Sequence, residues 1–156
     1  MGQAEDEAAE RTYRSIGRFM FEFSQVEYTI RHYLADEIRL KDEYFSAVVE
    51  SYDVGVLTKV ATEVFKKSRG ADAAAAIEKL LNRFRKMNED RNRVAHGLWV
   101  PFKDGGTVHH VSRNRLKSSP SSDQAGELER KADELCQLRS ELEQAFLAMP
   151  AFDRHP

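Results

Sequence analysis

The sequence predicts an all-α fold: an up-and-down bundle of four to five helices, with a small β-hairpin inserted before the last one. Three observations carry this. Apolar residues recur at three- and four-residue spacing over most of the chain. Glycines and capping residues cut that pattern into helix-sized pieces. The period changes to that of strands in one short stretch, about 98–112. With 156 residues, 41% of them hydrophobic and 32% charged, the chain suits one domain with a core and a heavily solvated exterior.

The first ten residues, MGQAEDEAAE, hold four acids and no base and read as a flexible acidic tail. The domain then spans about 11–150, and 151–156 form a second tail. From Tyr13 to Leu40, the residues Ile16, Phe19, Met20, Phe23, Val26, Ile30, Tyr33, Leu34 and Ile38 mark a long amphipathic helix. Phe21 widens its apolar band, which suits two burial surfaces, the core and a partner. A second helical region covers 42–67, in two pieces or with a kink, because Asp53 is a candidate N-cap and Gly55 a weak helix former. Gly70 ends it and Asp72 is the candidate cap of the next helix. That third helix starts in AAAAIEKLL and runs to about His96. Gly97 suits its end, since glycine accepts the left-handed conformation there.

Next come LWVPF and TVHHV around Asp104, Gly105 and Gly106, a hairpin in which Pro101 requires an edge or irregular strand. A basic, then Ser-rich loop follows at about 113–122, where Ser121, Ser122 and Asp123 are candidate caps for the last helix. That helix carries Leu128, Leu135, Leu138, Leu142, Ala145, Phe146 and Met149 at nearly heptad spacing.

Composition narrows the function classes. The one cysteine, Cys136, makes neither an internal disulfide nor a cysteine-based zinc cage, and a reducing compartment fits best. No apolar run approaches the roughly 20 residues that span a bilayer, and the N-terminus lacks the basic start and apolar middle of a signal peptide. A cytoplasmic protein with no membrane partner is expected. No P-loop, Gly-rich dinucleotide fingerprint or His–carboxylate metal spacing is present, so neither cofactor nor metal is expected. His109 and His110 are adjacent on a strand and point to opposite faces, so they do not share one metal.

The formal charge of −2 conceals an asymmetry. Residues 79–117 hold ten Lys/Arg against three acids, a net +7, which leaves −9 for the rest. This points to an anionic ligand on one face, or to two halves that neutralise each other.

The stretch NEDRNRVAHGLW, residues 88–99, concentrates the candidate chemistry. At about 100° per residue, Ile77, Leu80, Phe84, Met87 and Ala95 all fall within roughly 40° of Arg91. Arg91 therefore projects from the apolar stripe, and a guanidinium there needs an anion. Asn92 lies beside it, and His96 lies about 140° away, across a groove. Histidine titrates near neutral pH and suits proton transfer, while arginine offers a fork of donors to a phosphate. Such groups suit RNA cleavage through its own 2′-hydroxyl, and two copies across a two-fold axis would face one phosphate with two of each. The plainer reading pairs Arg91 with a core acid, Glu27 being the candidate, and leaves His96 bonding the last helix carbonyls.

RNRVAHG at the close of a late helix resembles the signature of HEPN domains (higher eukaryote and prokaryote nucleotide-binding): Arg, four to six residues, then His, with a polar residue after the Arg. Arg91, Asn92 and His96 take those places. The resemblance implies a homodimer with both motifs at the interface, and a metal-independent endoribonuclease acting as a toxin or defence effector. Arg91 would bind the phosphate, His96 would serve as acid or base, and Asn92 would orient them. Some family members carry a tyrosine two residues after the His, modified by a partner antitoxin; here that place holds Leu98. The alternative within the family is a non-catalytic module for nucleotide or RNA binding or for dimerisation. Arg93, Arg113, Arg115 and Lys117 are candidate phosphate-steering residues, and Trp99 either anchors the hairpin or stacks a base.

Overall fold

The structure is a computed structural model in which residues 2–102, 105–111, 118–122 and 126–148 are described. It is an all-α helical bundle of α1 (Gln3–Glu37), α2 (Phe45–Val48), α3 (Val54–Arg69), α4 (Ala71–His96) and α5 (Glu127–Leu147). A 3-10 turn at Asp42–Tyr44 leads into α2. Between α4 and α5 lie three short strands, β1 (Leu98–Phe102), β2 (Gly105–Val111) and β3 (Ser118–Ser122), antiparallel in that order. Leu98 stands opposite His109 in the first pair, and Thr107 opposite Ser122 in the second.

The helix boundaries follow local chemistry. Asp53 caps α3, its Oδ1 accepting from the Val56 amide at 2.8 Å. Gly70 ends α3 with φ at 81°, a conformation that costs glycine little. At the end of α1 the Leu40 amide donates to Ala35 O at 2.9 Å and the Arg39 amide to Asp36 O at 3.1 Å. These are the paired bonds of a Schellman turn, and Arg39 holds its left-handed position with φ at 52° where glycine is usual.

Four expectations change. The acidic tail is instead the start of α1, which begins at Gln3 and buries Ala8 and Thr12. Ala and Glu are strong helix formers, and acids favour a helix N-terminus, so charge that reads as solvation is also helix signal. The Ser-rich loop is in part β3: the open side of β2 accepts any extended segment, and serine gives no strand signal. Ser121 and Ser122 therefore lie on β3, while Gly126, with φ at 96°, precedes α5; Asp123 lies outside the described residues. Asp72 falls in the first turn of α4, which starts at Ala71 directly after Gly70.

The chain divides into two compact units. One comprises Met1–Phe23 with Asn88–Leu135. Its buried side chains include Ala8, Phe19, Phe23, Val94, Leu128, Ala132 and Leu135, with the Phe19 and Phe23 rings 6.3 Å apart. Ser15 donates to Glu129 at 2.9 Å and Arg18 pairs with Asp133, tying α1 to α5. The other unit comprises Ser24–Met87 with Cys136–Pro156. Ile30, Leu34, Leu57, Phe65, Ile77, Leu81, Phe84, Leu138 and Leu142 are fully buried there, each worth about 1.5–3 kcal/mol of apolar transfer. Tyr33 and Phe65 both pack on Phe146, at 4.3 and 4.9 Å. Phe21 stands 58% exposed on α1, outside the buried face. Among the described residues no helix is long and apolar enough to cross a membrane.

Candidate functional site

The motif belongs to the last two turns of α4, and the burial of that helix explains its setting. Upstream, Ala74, Ile77, Leu81 and Phe84 are buried, and their mean direction passes through Asn88, about 60° from Arg91. Downstream, the buried residue is Val94, about 60° to the other side of Arg91. The apolar stripe thus changes side at Arg91. Arg91 is half-buried on its flank rather than in its centre, and Ala95, expected on the stripe, is exposed.

Among the described residues, what holds Arg91 is not an acid. Its Nη1 donates to Asn92 Oδ1 at 3.0 Å, and its guanidinium carbon lies 5.9 Å from the centroid of the Phe23 ring. Phe23 is 2% exposed, so the guanidinium rests on a ring fixed in the core of its unit. Among the described residues no carboxylate pairs with Arg91. Glu27, the candidate from sequence, is engaged by Arg31 one turn along its own helix. Arg31 also donates to Val49 O and Tyr52 O, tying α1 to the segment before α3. A carboxylate four residues from an arginine on the same helix meets it without any further ordering, so the local pair forms.

The other predicted residues are placed as follows. Asn92 and His96 are exposed, and His96 is the last residue of α4. Arg91 and His96 are five residues and about 7–8 Å of helix rise apart, so one protomer does not bring them together. Arg93 is spread between Glu89 and Asp90, each at 3.8 Å, weak contacts at a half-exposed side chain. Trp99 donates its Nε1–H to Val94 O at 3.0 Å. Since the Gly97 amide donates to Arg93 O at 2.8 Å, two of the four unpaired carbonyls of the helix end are satisfied. Anchoring is therefore what the Trp99 N–H does. Arg113, Arg115 and Lys117 lie outside the described residues.

Two residues that sequence reasoning did not select hold the motif turn in place. Lys131 on α5 donates to Asp90 at 3.0 Å and to Glu127 at 3.1 Å. Burial alone would lower the Lys131 pKa, but those hydrogen bonds and the attraction of both carboxylates outweigh it and hold it above the ordinary lysine value. Asp90 directly precedes Arg91, so this bond pins the turn that presents the guanidinium. Phe23 is the other. Its apolar spacing marked it as core, and no sequence signal distinguishes it from Phe19.

Chemically, the arrangement offers a fixed cation whose other donors are unused among the described residues, an amide beside it and an exposed imidazole at the helix end. It can hold an oxyanion such as a phosphate. Among the described residues no group of three or more His, Cys, Asp or Glu is spaced to hold a metal ion. Comparison with family models, with curated proteins and with solved structures returns no match to this chain.

Proposed function

We propose that the chain is a HEPN-type, metal-independent endoribonuclease. In this reading two copies bring their Arg91, Asn92 and His96 together, and RNA is cleaved through attack of its own 2′-hydroxyl. The observation that carries it is Arg91. A half-buried guanidinium, fixed by a ring and an amide and met by no described carboxylate, is poised for an external anion. Arg91 stabilises the charge of the pentavalent transition state, and His96 transfers the proton of the 2′-hydroxyl or of the leaving 5′-oxygen. Asn92 orients the guanidinium. Action as a toxin, with an antitoxin partner, or as a defence effector in the cytoplasm is the biological setting this reading suggests.

The separation of Arg91 and His96 along α4 favours a second reading if the chain stays monomeric: an RNA- or nucleotide-binding module without cleavage. Incubation of the purified protein with RNA in EDTA separates the two. The enzyme yields fragments with 2′,3′-cyclic ends, lost in both Arg91→Ala and His96→Ala, and it sediments as a dimer. Intact RNA across several substrates sinks the enzyme reading.

A further inference from the structure

We propose that Phe23 of α1 is a positioning residue for Arg91, a π seat that fixes the guanidinium while leaving its charge for a phosphate. The inference rests on Arg91 being the anion-binding group of the proposed site, and it adds α1 to a site otherwise confined to α4.

Few surroundings hold an arginine still. A carboxylate does so by neutralising it, and the charge is then no longer available to a ligand. Solvent leaves the charge but not the orientation. An aromatic face does both jobs: it attracts the cation through its quadrupole, favours a defined approach of the planar group, and contributes no formal charge. The distance of 5.9 Å lies within the range of that attraction. Two further observations make the seat rigid. Phe23 is 2% exposed, so its ring is set by the core and not by the arginine. Asn92 Oδ1 takes one Nη1 proton of Arg91, which fixes rotation of the fork above the ring. Among the described residues the other guanidinium donors have no partner. A neutral seat and a neutral amide thus hold a full positive charge ready for a phosphate oxygen, with little reorganisation left on binding.

The test uses the full chain and inorganic phosphate as the probe. In the wild-type protein the Arg91 Nε–H resonance, assigned by its loss in Arg91→Lys, should be displaced upfield by the ring current and should move on phosphate titration. Phenylalanine with one, two and three ring fluorines is then incorporated at position 23. Fluorination drains the π face while keeping the packing, so the phosphate dissociation constant should rise stepwise, by about two- to five-fold over the series. Helix content and thermal midpoint should stay constant. A flat series, an Arg91 resonance without ring-current displacement, or no phosphate response at Arg91 overturns the inference. RNA cleavage in EDTA is read on the same samples. A stepwise phosphate response with intact RNA sinks the ribonuclease reading and keeps the seat. Cleavage with a flat series does the reverse.

Discussion

Arg69 and Arg91 each lie 5.9 Å from the centre of a buried phenylalanine ring, Phe65 and Phe23 respectively, yet they end in opposite states. Arg69 meets Glu37 through both Nε and Nη2, with contacts from 2.6 to 3.1 Å. The two side chains are only 16% and 11% exposed. Arg91 has the same aromatic support, but its polar partner among the described residues is the neutral Asn92. A ring beneath an arginine therefore does not mark function. The acid decides: with it Arg69 closes a joint between α1 and α3, and no described acid does the same for Arg91.

A pair of substitutions separates the two arginines most directly. Arg69→Ala should cost about 3 kcal/mol, because it takes the guanidinium away from a largely desolvated Glu37. For a chain this long the thermal midpoint would fall by about 6–12 °C, with RNA cleavage at permissive temperature unchanged. Arg91→Ala should do the opposite, costing less than about 1 kcal/mol while lowering cleavage by at least about 100-fold. Calorimetry and a cleavage assay on both variants check this, and a stability loss as large at Arg91 as at Arg69 would make both arginines structural.

A smaller effect is expected one residue away, where Asp90 is closed by Lys131. Lys131→Met should cost about 1–2 kcal/mol by leaving Asp90 and Glu127 without their ammonium. The sign with pH is fixed. The Lys131 pKa is raised in the folded protein, so its stabilisation is complete below the ordinary lysine value near ~10.4 and disappears as pH rises through the folded value. Tyr33 adds to the same trend. Burial, then Glu143 and Asp36, raise its pKa, so above about pH 10 the unfolded chain ionises first. Denaturant midpoints measured from pH 8 to 11 should fall steeply above about pH 10, and less steeply in Lys131→Met. A slope unaltered by the substitution would mean that Lys131 does not contribute to this pH dependence.

The smallest change sharpens the contrast. Asn92→Asp places a carboxylate where Arg91 already donates at 3.0 Å, and so brings Arg91 closer to the state of Arg69. Stability should rise by about 0.2–1 kcal/mol, and inorganic phosphate should bind about three- to ten-fold more weakly. Equal phosphate affinity in the two proteins would mean that the anion does not meet Arg91.

Much of the fold was legible because it rests on local rules. The long stripe of α1, the break at Asp53 and the stop at Gly70 each follow from a residue acting on its near neighbours, whereas Gly97, expected to turn left-handed at the end of α4, does not. Legibility failed where one residue type serves two purposes, as with the acids that start α1, or where a backbone ladder needs no side-chain signal, as in β3. The site divides in the same way. The position of Arg91 on its helix can be read within about one helical step. The identity of its partner cannot, because Phe23 and Glu27 lie about 65 residues away in the chain. From the sequence both are equally eligible. Arg31, four residues from Glu27, settles the choice against the acid.

The bond from Trp99 Nε1 to Val94 O has a practical consequence. This is the chain's one tryptophan, and it is part-buried three residues beyond His96. All indole fluorescence therefore originates at the end of the helix that carries the motif. Nucleotide arriving there would alter the emission of a single reporter, with no background from elsewhere in the molecule. The protein comes with its own optical gauge at the end of α4.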